Sequence, residues 1–181
     1  MAWELRFMEW GKKWWSSPLL DQVIPWLTHV GSLLAVLLFI LVVSSVLRRK
    51  KVLLPLLFLY GSVAGSVYGL KYLIHRPRPF QVLGMASHLY QTRGEVIDPS
   101  FPSAHSAYAF TMAALLAFWF PRYRILFFVL AGFIAWTRIY LFLHYPSDVI
   151  AGGLLGYGMS RIALSLISQS ASAKRDQELR H

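Results

Sequence analysis

Five long apolar stretches, about 24–47, 52–74, 103–120, 124–143 and 147–168, alternate with short polar turns along the chain. At 1.5 Å per residue, 18 to 23 residues cover about 27 to 34 Å, the thickness of the hydrocarbon core of a bilayer. The pattern therefore predicts spanning helices. Prolines mark their ends: Pro77 and Pro79 stop the second, Pro102 opens the third, Pro121 ends it, and Pro146 opens the fifth. The first has softer edges, because Pro25 and His29 fall inside it. Ahead of these, Trp3, Phe7, Trp10 and Trp14 recur every three or four residues, with charged residues on other positions. That spacing predicts a short amphipathic helix over 1–17 lying in the membrane interface; a poorly ordered terminus is the bland alternative.

The expected fold is an all-α integral membrane protein with about five transmembrane helices and an N-terminal interfacial helix. Residues 1–170 form one domain whose transmembrane core is 24–168, and 171–181 are a polar tail. The segment from Ser168 onward is predicted to be disordered. Gly61 with Gly65 and Gly152 with Gly156 lie four residues apart, the spacing that lets helices approach closely in lipid.

Composition agrees with the pattern. Hydrophobic residues make up 56% of the 181, and only 14% are charged. With no cysteine there can be no disulfide, thiolate metal site or thiol nucleophile. Residues 1–17 carry Glu4, Glu9, Lys12 and Lys13, so no signal peptide is expected there. The net charge of +10 would suggest nucleic acid in a soluble protein, but here it follows topology. The turns at 48–51 and 122–124 and the tail hold ten cations against Asp176 and Glu178, a net of +8. The opposite loops and the N-terminal segment net only +2. By the positive-inside rule the first side, with the C-terminus, is cytoplasmic. Neither a nucleic acid nor an obligate protein partner is expected.

Three polar motifs then fall together on the extracytoplasmic side: Lys71 with Arg78-Pro79, Pro102-Ser103-Ala104-His105, and Arg138 with His144 and Asp148. Charged groups near hydrocarbon are costly, about 2.5–3.5 kcal/mol each at a membrane centre, so their gathering needs a reason. An arginine fork bonds two phosphate oxygens at once. A proline-led helix start with Ser103 at its tip offers free backbone N–H groups to an anion. His105 is one turn in. His144 and Asp148 stand four apart, a spacing at which the carboxylate can fix the imidazole tautomer. Each residue has a plainer reading. Lys71 would snorkel, Arg76 and Arg78 would be solvated or touch headgroups, Ser103 would cap its helix, His105 would be a satisfied core histidine, and Asp148 would stabilise a first turn. A serine hydrolase lacks a G-x-S-x-G elbow and would leave three cations unused. A divalent metal at His105, His144 and Asp148 would be repelled by those same cations. A non-enzymatic lipid-binding or transport protein with a basic cavity stays open.

In order and spacing, Lys71-x6-Arg78-Pro79, Pro102-Ser103-x-His105 and Thr137-Arg138-x5-His144-x3-Asp148 resemble the three-part signature of the type-2 phosphatidic acid phosphatase superfamily, which also includes vanadium haloperoxidases. Ala104 stands where that family usually has Gly, and Thr137 where it has Ser; Ala keeps the backbone N–H and Thr the hydroxyl. The resemblance implies metal-free, cofactor-free phosphoryl transfer from a lipid phosphate in the cell membrane of a bacterium. His144 would attack phosphorus, oriented by Asp148, and His105 would protonate the leaving oxygen. Lys71, Arg78, Ser103, Ala104 and Arg138 would hold the phosphate. Size, the aromatic N-terminal helix and the outward site are similar to bacterial undecaprenyl-diphosphate phosphatases. Phosphatidylglycerophosphate and phosphatidic acid phosphatases share the motifs. The loop 80–101, with His88, Arg93, Glu95 and Asp98, is the expected discriminator.

Overall fold

The apolar stretches become helices for the reason the sequence suggests: unbroken runs of Leu, Val, Phe and Ala can satisfy their backbone only internally. In the computed structural model, residues 2–46, 50–84 and 98–178 are described, and their regular structure is all helical. In chain order the elements are α1 (Ala2–Trp15), α2 (Pro18–Leu27), a 3₁₀ turn (Thr28–Gly31), α3 (Leu33–Val46), α4 (Lys50–Ile74), α5 (Pro79–Val82), α6 (Ala104–Trp119), α7 (Arg124–Tyr140) and α8 (Pro146–Glu178). Arg48, Arg49, His88, Arg93, Glu95 and Arg180 lie outside the described residues.

Among the described residues, three stretches are long and apolar enough to cross a membrane: Leu53–Val82, Pro121–Tyr140 and Pro146–Gln169. The expected first span is not one helix. It breaks at Thr28–Gly31, leaving α3 with 14 residues, and α6 has 16. A second difference is at the C-terminus, where α8 runs on to Glu178 instead of ending near 168. Beyond Gly158 the sequence holds no Gly or Pro, and Ala, Lys, Arg and Glu are good helix formers, so nothing stops the helix.

Side chains from α3, α4, α6 and α8 make the largest core cluster, with Val36, Ile40, Leu56, Val63, Val67, Ala107 and Leu115 buried. α6 and α8 approach closely because α8 presents glycine. A Cβ on Gly152 would lie 2.3 Å from the Ser103 carbonyl oxygen, and one on Gly156 would lie 2.0 Å from that of Ala107. The pair Gly61 and Gly65, expected to do the same, does not: nothing lies within 4 Å of a Cβ at either.

Two smaller clusters brace the loop between α7 and α8. Ile24 of α2 packs on Tyr140, Leu141 and Leu143, and Met8 of α1 packs on Phe142 and Tyr145. α1 itself is tied down on one face only. Glu4, Met8 and Gly11 are buried, whereas Trp3, Phe7, Trp10 and Trp14 all point away from the protein.

Two glycine substitutions test this packing. Gly156→Ala must push backbone apart and should destabilise the protein by about 1–3 kcal/mol, as overpacking does. Gly65→Ala, made into open space, should be neutral or slightly stabilising. Thermal unfolding in detergent distinguishes them, and equal effects would refute the close α6–α8 contact.

Candidate active site

α4 ends by delivering its cations inward. Lys71, in the last turn, is only 1% exposed. Its Nζ lies 2.9 Å from Asp98 Oδ2 and also donates to the Pro99 carbonyl. A snorkelling lysine would place its ammonium in water, and this one does the reverse. The chain then leaves the helix through His75, in a left-handed conformation (φ 48°), and Pro77 prevents its resumption. Arg78 follows at the N-cap of α5, buried. Its Nη2 pairs with Asp98 Oδ1 at 2.8 Å, and its Nε donates to the Asp98 carbonyl at 2.9 Å. Its Nη1 donates to the Leu143 carbonyl at 2.9 Å and stands 3.3 Å from His144 Nε2. One carboxylate therefore spans both cations. Burial alone would raise the Asp98 carboxyl, but Arg78 and Lys71 outweigh it and hold it below the usual carboxylate range.

The second motif forms the start of α6. Ser103 is its N-cap, buried, with Oγ accepting from Ser106 N–H at 3.4 Å and from Ser106 Oγ at 3.0 Å. Its own N–H donates to the Asp148 carbonyl at 3.0 Å, which fastens this tip to α8. Ala104 and His105 follow in the first turn, where backbone N–H groups precede the first intrahelical bond. His105 packs over Gly31 of the 3₁₀ turn, whose Cβ would come 3.3 Å from the ring. It lies within electrostatic reach of Arg138, His144, His29 and Arg78. The break in the expected first span thus makes room for an imidazole. It also supplies Thr28, whose hydroxyl accepts from Arg138 Nη1 at 2.7 Å and from Thr137 Oγ1 at 3.0 Å.

The third motif is shaped by how α7 ends. Phe142 N–H bonds the Ile139 carbonyl at 2.9 Å, Leu143 N–H bonds that of Arg138 at 3.1 Å, and Phe142 has φ 55°. This is a Schellman turn with phenylalanine where glycine is usual. A left-handed bulky residue is unfavourable by about 1–2 kcal/mol, and burial of the Phe142 ring against Met8 and Tyr145 offsets it. The turn throws His144 back over Arg138, with the ring buried. Burial, with Arg78, Arg138 and Lys71 around it, pushes the His144 imidazole well below the ordinary histidine range. It is therefore neutral at pH 7 and retains a lone pair.

The expected direct bond between His144 and Asp148 is absent. His144 Nδ1 is 3.7 Å from Asp148 Oδ2, beyond hydrogen-bond range. Ser100 stands between them, its Oγ 2.5 Å from Asp148 Oδ2 and 3.4 Å from His144 Nδ1. Asp148, fully buried, also accepts from Tyr145 N–H at 2.9 Å and from Arg76 Nη1 at 2.5 Å. Arg76 in turn pairs with Glu4 of α1 at 2.6 Å.

Lys71, Arg78, Ser103, Arg138, His105, His144 and Asp148, drawn from four helices, thus converge at one end of the bundle. Glu4, Arg76 and Ser100 join them without having been read as site residues, and so does Asp98, expected only as part of the discriminating loop. Ser100 has one weak signal, its position three residues ahead of Ser103 in a Pro-flanked segment. Glu4 has only its place on α1 off the face that carries Trp3, Phe7, Trp10 and Trp14.

Known proteins resemble this chain in sequence and in fold. The sequence profile of the PAP2 superfamily matches residues 52–171. An undecaprenyl-diphosphatase of Sulfolobus acidocaldarius is 31% identical over 134 residues, 74% of this chain and 63% of that protein. A lipid A 1-phosphatase of Rhizobium etli is 43% identical over 89 residues, 48% of this chain and 38% of that one. The chain therefore spans less than two thirds of either relative. Among solved structures, Aquifex aeolicus LpxE is similar at a TM-score of 0.69 and 30% identity, covering 83% of this chain and 88% of its own. A PAP2-type phosphatidylglycerolphosphate phosphatase from Bacillus subtilis shares the fold at a TM-score of 0.76 and 22% identity, over 93% and 86%. With its profile matched across most of the chain and its three polar motifs gathered at one end of a helical bundle, the protein belongs to the PAP2 superfamily.

Proposed function

We propose that this protein is a membrane lipid phosphatase that works through a phosphohistidine. The observation that carries this reading is the setting of His144. Its ring is neutral, its Nδ1 faces Ser100 and Asp148, and its Nε2 looks toward the guanidinium of Arg78. Protonated at Nδ1, the ring offers the Nε2 lone pair to phosphorus. Phosphoryl transfer asks a protein mainly for positioning and for charge on the equatorial oxygens. Lys71, Arg78 and Arg138 supply that charge, with the Ser103 hydroxyl and the first-turn N–H groups at Ala104 and His105. In the first step the Nε2–P bond forms as the P–O bond to the leaving group breaks, and His105 gives that oxygen a proton. In the second, His105 takes a proton from water, whose oxygen displaces the histidine and releases inorganic phosphate.

The substrate we favour is a polyprenyl diphosphate, cleaved to the monophosphate. Apolar helices frame the site, so a lipid can bring its phosphate to the cations while its tail stays in the bilayer. The Sulfolobus relative's name carries the same substrate. Lipid A 1-phosphate is the second reading, favoured by 43% identity to the Rhizobium enzyme over 89 residues. Phosphatidylglycerophosphate and phosphatidic acid remain as further arms of the test. The reading includes five crossings, with α3 and α6 completed by their flanking residues. It also places the aromatic face of α1 in the interface and the site on the extracytoplasmic side.

Purified protein should release phosphate from polyprenyl diphosphate with a kcat/KM at least about tenfold above that for the other lipids. His144→Ala should reduce it by at least about 10³-fold and His105→Ala by about 10²–10⁴-fold. Release that survives His144→Ala would exclude the mechanism, and a tenfold preference for a glycerophospholipid would exclude the substrate.

A second expectation concerns Asp98, whose carboxylate holds the two cations that a phosphate would need. Substrate must displace it from at least one. Asp98→Asn, which removes the competing charge, should lower KM and the inhibition constant of inorganic phosphate by roughly 3- to 30-fold, the range of a partly exposed charge-assisted bond. Weaker phosphate binding would mean that Asp98 serves to hold Lys71 and Arg78 in place.

A further inference from the structure

Glu4 is a carboxylate buried on a helix that is otherwise rich in exposed aromatic side chains. Its surroundings are built. Oε1 accepts from Ser147 N–H at 3.0 Å and from Ser147 Oγ at 2.6 Å, and Oε2 meets Arg76 Nη2 at 2.6 Å. Burial would raise the Glu4 carboxyl, but Ser147 and Arg76 hold it below the usual carboxylate range. The Arg76 guanidinium stacks 3.9 Å from the centre of the Tyr145 ring, and its other terminal nitrogen reaches Asp148 Oδ1 at 2.5 Å. One planar fork therefore joins a carboxylate of α1 to a carboxylate of α8, with its orientation fixed by an aromatic ring. Asp148 then connects through Ser100 to His144. Residue 4 lies outside the span 52–171 that the family profile matches, whereas Arg76, Ser147 and Asp148 lie inside it, so the profile does not describe the Glu4 end of this tie.

We infer that Glu4 is a positioning residue for the nucleophilic histidine, acting through Arg76 on Asp148. This rests on the phosphohistidine reading of His144 given above. The physical reason is a division of charge. Arg76 alone beside Asp148 would draw that carboxylate toward itself and away from Ser100 and the imidazole. Glu4 takes up the second half of the guanidinium and anchors it from the opposite side. Asp148 Oδ2 is left to accept from Ser100 Oγ and Tyr145 N–H. Because Glu4 lies with Met8 and Gly11 on the inward face of α1, seating of this helix and alignment of His144 are one event.

Glu4→Gln keeps the shape and the acceptor for Ser147 while removing the charge. It should lower kcat by roughly 10- to 100-fold, the size of a lost charge-assisted bond, and change KM by less than about threefold. It should also move the acidic limb of kcat/KM to lower pH. His144 is faced by Lys71 and Arg78 from α4 and its exit, His105 from α6, Arg138 from α7, and Ser100 and Asp148 behind it. Glu4 stands behind Arg76 and Asp148, and removing its charge leaves Arg76 less compensated, which makes protonation of the ring harder still. A purely structural role for Glu4 would not move that limb. Glu9→Gln, on the exposed face of the same helix, should leave both kcat and the limb unchanged. In an Arg76→Gln background the Glu4→Gln effect should disappear, since the link runs through that side chain. If Glu4→Gln fails to fold, Arg76→Lys reads the same tie, because an ammonium cannot bridge both carboxylates as the fork does, and the kcat loss should be of similar size. Wild-type kcat and pH profile in Glu4→Gln, alongside an inactive His144→Ala, would overturn the inference and leave the phosphatase reading intact. Full activity in His144→Ala would overturn that reading itself.

Discussion

Positive charge enclosed among helices is the constraint that organises this protein. Lys71, Arg76, Arg78 and Arg138 come to one end of a bundle whose walls are Leu, Val, Ala and Phe, and enclosed charge is tolerated only when it is paired and hydrogen-bonded. Each cation has a partner: Asp98 for Lys71 and Arg78, Asp148 and Glu4 for Arg76, and the Thr28 hydroxyl for Arg138. The folding of the loops follows from these pairings. Asp98 brings the segment before α6 onto the exit of α4, Asp148 holds the tip of α6, and Thr28 requires the break between α2 and α3. Burial, together with the same positive surroundings, keeps the imidazole of His144 neutral. In the proposed mechanism, a group that donates electrons to phosphorus and a site that attracts a phosphate are thus supplied by one arrangement of charge.

The pairing also explains why a carboxylate occupies the place between Lys71 and Arg78. Two neighbouring cations without an anion would repel each other and leave both desolvated. In the proposed function an anionic substrate takes over that role from Asp98.

Much of this was legible in the sequence, for physical reasons that vary by element. The three motifs were legible because each is local: a cation or imidazole near a proline that ends or opens a helix. Gly152 and Gly156 were read correctly, but the same spacing at Gly61 and Gly65 meant nothing, since spacing names a face and not what lies against it. Hydropathy missed the 3₁₀ turn at Thr28–Gly31 because that turn is held by Arg138 and filled by His105, both more than 70 residues away. Composition favoured a disordered tail, whereas helix propensity without a breaker carries α8 to Glu178. Glu4 and Ser100 were hard to read for a single reason: they bond partners 72 and 48 residues distant, and nothing in the neighbourhood of either announces the partner. The i, i+4 pair His144 and Asp148 was found, but its direct bond proved to be a relay through Ser100.

The central claim is that Nε2 of His144 becomes bonded to phosphorus during turnover. Rapid quenching with base after mixing with ³²P-labelled lipid diphosphate, followed by peptide mapping, tests it most directly, because phosphohistidine survives alkali. The account predicts label on the peptide containing His144, accumulating further in His105→Ala when the leaving group is activated. Turnover with no label on any histidine, or label on a different residue, would contradict it.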